Sequence, residues 1–126
     1  MNRVDWLGRI LIFIAVATVI SGAVQLFFPR LVLSVIGGQN SPTSAHFFSI
    51  IGMFMVLFGG LAWQGVLSKS PPALLWSGLQ KLGAAGAVGL GVYHQLFAPL
   101  AFAVAGFDLL SGLLILLFWR TVARDG

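Results

Sequence analysis

The chain has no cysteine, one tyrosine and only three acidic residues among its 126 positions. Without cysteine there is no disulfide framework, thiolate nucleophile, iron–sulfur cluster or Cys-ligated zinc site. Charged residues make up 8 % of the chain, against about 25 % in an ordinary soluble domain. So little charge cannot coat a water-facing surface, which excludes a soluble globular fold. Disorder is excluded too, because it needs low hydrophobicity and high charge. Asp5 and Asp125 lie near the termini, so the acids do not pair for hydrolase or transferase chemistry. No basic patch interleaved with aromatics suggests nucleic acid. The glycines from Gly83 to Gly91 sit within an apolar stretch and lack the context of a phosphate-binding loop.

What the chain does have is apolar length. Hydrophobic residues make up 59 % of it. Crossing a hydrocarbon core of roughly 30 Å takes about 20 mostly apolar residues. Four segments meet that requirement, at about 6–28, 46–67, 74–97 and 100–119. Backbone amides in lipid must be satisfied within their own segment, so each span is expected to be helical. The spans are too long, and alternate too little, for barrel strands. Ser21-Gly22-Ala23 loosely resembles a signal cleavage site, but the apolar run continues through Phe28, which favours a retained helix. The expected architecture is all-α: an integral membrane, antiparallel four-helix bundle forming a single transmembrane domain. The outer connection, 29–45, carries a short apolar stretch, Leu31 to Ile36, suited to lying in the interface.

The basic residues set the expected orientation. Arg3, Arg9, Lys69, Lys81, Arg120 and Arg124 fall toward one side and only Arg30 toward the other. This bias places both termini in the cytoplasm. Trp6, Trp63, Trp76 and Trp119 fall near the same side, at headgroup level. An internal echo joins Gln25-Leu26-Phe27-Phe28-Pro29 to Gln95-Leu96-Phe97-Ala98-Pro99, 70 residues later. It fits either two duplicated hairpins or two helices ended by proline for the same local reason.

Each span carries a stripe of small or polar residues, the kind that lets helices approach closely in lipid. These are Ala15, Thr18, Gly22 and Gln25 on the first, and Ser49, Gly52, Val56 and Gly59 on the second. Gly83, Ala84, Ala87, Gly91 and His94 lie on the third, and Ala101, Ala105, Asp108, Ser111 and Gly112 on the fourth. Asp108, near the middle of the fourth span, is the leading candidate for function, since acids at that depth are costly. It needs a proton, water or a partner, and Lys81 is the first candidate partner, with Arg9 the second. At ~1.5 Å rise per residue, Lys81 and Asp108 differ in depth by about 9 Å, which a long side chain can largely close. The pair would either fix helix register or serve proton coupling. A second polar group, toward the outer side, comprises Gln25, His46, His94 and Gln95. Two histidines can hold a quinone or a haem, but without a matching carboxylate or cysteine they do not define a metal site.

Several of these features together resemble a known group. A first span ends in Pro29, followed by a Leu-Val-Leu-x-x-Ile-Gly-Gly stretch, and Phe48-Ser49-Ile50-Ile51-Gly52 opens the second span. Lys81-Leu82-Gly83 and Gly106-Phe107-Asp108-Leu109-Leu110 follow. The chain resembles small bacterial four-helix membrane proteins of the DoxX-like and related uncharacterised groups. The resemblance implies a four-span topology in the bacterial inner membrane; no residue here carries over the quinone-linked sulfur oxidation associated with the DoxX name. Three functions follow as expectations. The first is a non-enzymatic accessory subunit or lipophilic-ligand-binding protein, alone in the bilayer, as a homodimer or within a larger membrane complex. The second is a small proton-coupled transporter using Asp108. The third is a quinone-linked oxidoreductase component using the outer histidines.

Overall fold

The structure, a computed structural model, describes residues 3–125, with side chains from position 4. The described residues form five helices and no strand: α1 (Arg3–Phe27), α2 (Pro29–Ile36), α3 (Pro42–Ser68), α4 (Pro71–Tyr93) and α5 (Ala101–Asp125). Three of them, α1 from Val4, α3 and α5, are long and apolar enough to cross a membrane. At 23 residues α4 is long enough, but Ser77, Gln80, Lys81 and its many glycines lower its hydropathy.

Proline shapes most of the helix starts. Pro29, Pro42 and Pro71 each stand in the first turn of a helix, where a missing N–H costs nothing and the fixed φ is already helical. The break after α1 is therefore a single residue, Phe28. Helix α3 begins at Pro42, earlier than position 46. Ser41 accepts a bond from the Ser44 amide at 3.1 Å, and its own amide donates to Ser44 Oγ at 2.9 Å. This reciprocal cap turns the last part of the expected outer connection into the first turn of the helix.

The end of α4 also differs from the expected boundary at position 97. The helix stops at Tyr93, and Gln95 takes a left-handed φ of 63°, so residues 94–100 form a longer connection than an Ala98-Pro99 turn. The two copies of the Gln-Leu-Phe echo thus have different backbones. Gln25 is inside α1, whereas Gln95 lies beyond the end of α4. This connection is fastened to the end of α2. The Ala98 amide donates to the Ile36 carbonyl at 2.7 Å. Gly37, at φ 71°, ends α2 in the left-handed region that favours glycine.

The helices pack in pairs. α1 lies along α3 and α4 along α5, with further contacts between α3 and α4 and between α1 and α5. Both close pairs run antiparallel: Gly22 meets Gly52 while Ala15 meets Gly59, and Gly78 meets Ile115 and Leu116 while Leu82 meets Gly112. A β-carbon on Gly52 would stand 2.6 Å from the Leu26 amide nitrogen and 2.7 Å from the Gly22 carbonyl oxygen. The backbones themselves are in contact there, and only glycine permits it. A large-residue core occupies the end that holds both termini, built on Leu11, Ile14, Leu74, Ile115 and Phe118.

The expected small-residue stripe on α4 divides. Gly91 is covered by the Phe97 ring, but Gly83 has no neighbour within 4 Å of an added β-carbon, and neither do Gly86 and Gly89 elsewhere on the helix. Alanine substitution should separate these two classes of glycine. Gly52→Ala is expected to cost about 1–3 kcal/mol through overpacking against backbone. Gly60→Ala and Gly83→Ala, which meet open space, should be neutral or slightly stabilising because alanine favours helix. Thermal unfolding of the detergent-solubilised variants checks this ordering.

Candidate functional site

The polar centre is built from three helices. Lys81 sits on the face of α4 that also carries Leu74, Ser77, Gly78 and Ala85, all buried, and its own residue exposure is only 6 %. A buried ammonium needs acceptors, and two surround it. Its Nζ donates to Asp108 Oδ1 on α5 at 3.1 Å and to Thr18 Oγ1 on α1 at 2.6 Å. The Thr18 hydroxyl donates its own hydrogen bond to the Ile14 carbonyl, 2.9 Å away in the preceding turn. Its lone pairs are thereby left for the lysine. The Phe107 ring adds a cation–π contact, with Nζ 5.3 Å from its centroid.

This arrangement is organised by the length of the lysine. Lys81 and Thr18 belong to helices that are not among the closely packed pairs. The extended side chain reaches across the interior and bonds both α1 and α5. Leu82 lies against Gly112, so Asp108 is about one turn along the axis from the level of Lys81, an offset that the length of the lysine side chain spans to reach Oδ1. Asp108 is the more open partner, its side chain 14 % exposed against 7 % for Lys81. Ser111 is buried three residues further along α5 but takes no part in the bonds to Lys81. Arg9 is elsewhere: it is exposed and lines a shallow groove with Trp6, Ile10 and Phe13.

The residues grouped toward the outer side do not form one cluster. Gln25 is buried and donates through Nε2 to the Phe48 carbonyl at 3.0 Å. Ser49 Oγ returns a bond to the Leu26 carbonyl at 2.7 Å. These reciprocal bonds tie α1 to α3 just beyond the Gly22–Gly52 contact, and they use Gln25 for packing. His94 and Gln95 are exposed in the connection after α4, with His94 edge-on to Tyr93 at 5.5 Å. His46 is exposed on the first turns of α3 and borders an open groove of about 510 Å³. The groove walls include Phe27, Phe28, Pro29, Arg30, Leu31 and Pro42. Among the described residues, no three His, Cys, Asp or Glu side chains gather in a way that could hold a metal ion.

Thr18 and Phe107 are the members of the centre that sequence reasoning missed. Thr18 stood in the small-residue stripe of α1, but nothing in a linear pattern shows which distant cation a hydroxyl will meet. Comparison with known proteins gives no match to a family model, a curated protein or a solved structure.

The chemistry of the centre is a neutralised ion pair braced by a hydroxyl, and it should behave as a unit. Lys81→Met leaves a buried carboxylate alone and is expected to cost about 3–5 kcal/mol. The double variant Lys81→Met with Asp108→Leu should recover most of that loss, since it removes both charges. A double-mutant cycle on thermal stability checks it. Additive losses would mean that the two side chains are not coupled.

Proposed function

We propose that the chain is a non-enzymatic, four-span integral membrane protein that binds a lipophilic ligand. In this reading α4 is the fourth span and completes a four-helix bundle with both termini cytoplasmic. The kinship with DoxX-like proteins and the bacterial inner membrane belong to the same proposal and rest on the short motifs quoted above. Support for α4 comes from its polar side chains: Ser77 and Lys81 are buried within the protein, so its lower hydropathy need not face lipid. Support for the orientation comes from the basic residues, with Arg30 alone on the opposite side.

The observation that carries ligand binding is the groove beside α2. Its wall includes Phe27, Phe28 and Leu31, which are 72 %, 62 % and 60 % exposed. A concave surface with that much bare aromatic and aliphatic area suits an apolar chain. The polar centre, by contrast, is filled by its own side chains, which suits a brace between helices. A proton-coupled role for Asp108 is the second reading, favoured by the greater exposure of its side chain relative to Lys81. For a haem or quinone held between His46 and His94 there is no such support, since His46 lines the groove and His94 is not among its lining residues.

Three measurements test these readings. The absence of cysteine lets single cysteines report topology. Residues introduced at Asn40 and at Asp125 should be labelled by an impermeant reagent from opposite faces of the membrane. Labelling from the same face would defeat the four-span arrangement. Native mass spectrometry from mild detergent should show lipid-sized adducts on the wild type, reduced in Phe28→Asp. A bare wild-type chain would defeat ligand binding. If Asp108→Asn abolished pH-driven transport in vesicles, the second reading would replace the first.

A further inference from the structure

The groove beside α2 is lined by a basic side chain and an imidazole as well as by apolar residues. Arg30 lines it from the start of α2, and His46 from the start of α3. Arg30 is the only Lys or Arg between Arg9 and Lys69, and the three acids of the chain stand at positions 5, 108 and 125. Asp108 is already taken by Lys81. Among the described residues Arg30 enters no ion pair. Its backbone, however, is fixed: the Arg30 carbonyl accepts from Ser34 Oγ at 2.9 Å and from Asn40 Nδ2 at 3.1 Å. The loop that follows α2 therefore folds back to hold the residue bearing the cation. The third polar side chain on the groove, Ser49, is spent on the Leu26 carbonyl. What the groove offers a ligand is then an unpaired guanidinium, an imidazole lining the same groove and an aromatic wall.

We infer that this groove binds an anionic phospholipid, with the headgroup phosphate on Arg30 and His46 and an acyl chain along Phe27, Phe28 and Leu31. The inference rests on the lipophile-binding reading and adds the charge of the ligand to it. Charge complementarity carries the choice. An arginine fork matches the several oxygens of a phosphate, and the imidazole supplies a further donor. The open shape of the groove suits a molecule whose tail remains among other lipids. A free fatty acid presents the same negative charge through a carboxylate, so the test must separate the two.

The experiment is native mass spectrometry of the full chain from micelles containing equal phosphatidylglycerol and phosphatidylcholine. The wild type should retain phosphatidylglycerol in preference. Arg30→Gln with His46→Gln should lower that preference about tenfold, the order of one charge-assisted hydrogen bond. Both side chains are exposed, so thermal unfolding of the double variant should match the wild type and exclude misfolding as the cause. Arg30→Lys keeps the charge but loses the fork, and should fall between. Lys69→Gln, at the opposite end, should leave the preference intact; an equal loss there would reduce the effect to general surface charge and overturn the site. Oleate that displaces phosphatidylglycerol at equal concentration would overturn the phosphate assignment. Equal retention of both phospholipids would overturn the charge selection while leaving lipophile binding standing. Retention of neither would defeat both.

Discussion

A lysine ammonium enclosed by apolar helices has to find an anion, and among the described residues the one it meets is Asp108. That requirement organises the middle of the structure. Lys81 is held by Asp108 on one side and by Thr18 on the other, so α4 has a defined rotation and height relative to both α5 and α1. A register slip by one residue would turn Lys81 about 100° around the helix and strand both charges. Ion pairs of this kind contribute little net stability when compared with a well-packed apolar substitute. Their contribution is to selectivity: of the ways that apolar helices can slide past one another, they leave one.

The glycines do the complementary work. Where Gly22 and Gly52 meet, backbone touches backbone, which maximises dispersion contact and lets side-chain hydroxyl and amide groups reach the opposite main chain. The Gln25–Phe48 and Ser49–Leu26 bonds exist because the axes are that close. In a lipid solvent, where burial of leucine gains nothing over exposure, such contacts are what hold helices together. The two close pairs of helices then meet through fewer contacts, and Lys81 supplies a polar bond across that weaker seam. At the other end, α2 and the connection after α4 are joined through Ala98 and Gly37. On the groove beside α2, the Arg30 backbone is held by Asn40 of the loop that follows that helix.

Proline illustrates how a linear signal can be read correctly and incompletely. Pro29 and Pro71 mark helix ends, as expected, but each also opens the next helix. Pro42, inside the expected outer connection 29–45, does the same. Proline forbids continuation of the helix behind it and is pre-organised for the one ahead. Which role dominates depends on whether apolar residues follow that can be packed. The repeated Gln-Leu-Phe segment shows the reverse failure. Identical local sequence gave one buried glutamine within a helix and one exposed beyond a helix end, because different neighbours stand beside them.

From the sequence alone came the helical class, the apolar stretches and their approximate ends, and the identity of the one costly acid with its first candidate partner. These depend on composition and on short-range periodicity, which a linear chain displays directly. The participation of Thr18 and Phe107, the exclusion of Arg9, the dispersal of His46, His94 and Gln95, and the groove that unites Arg30 with His46 were decided only by tertiary structure. Each depends on helix rotation and on contacts between residues distant in the chain. The glycine contacts and the Lys81–Asp108 ion pair help to set them, and no local pattern encodes them.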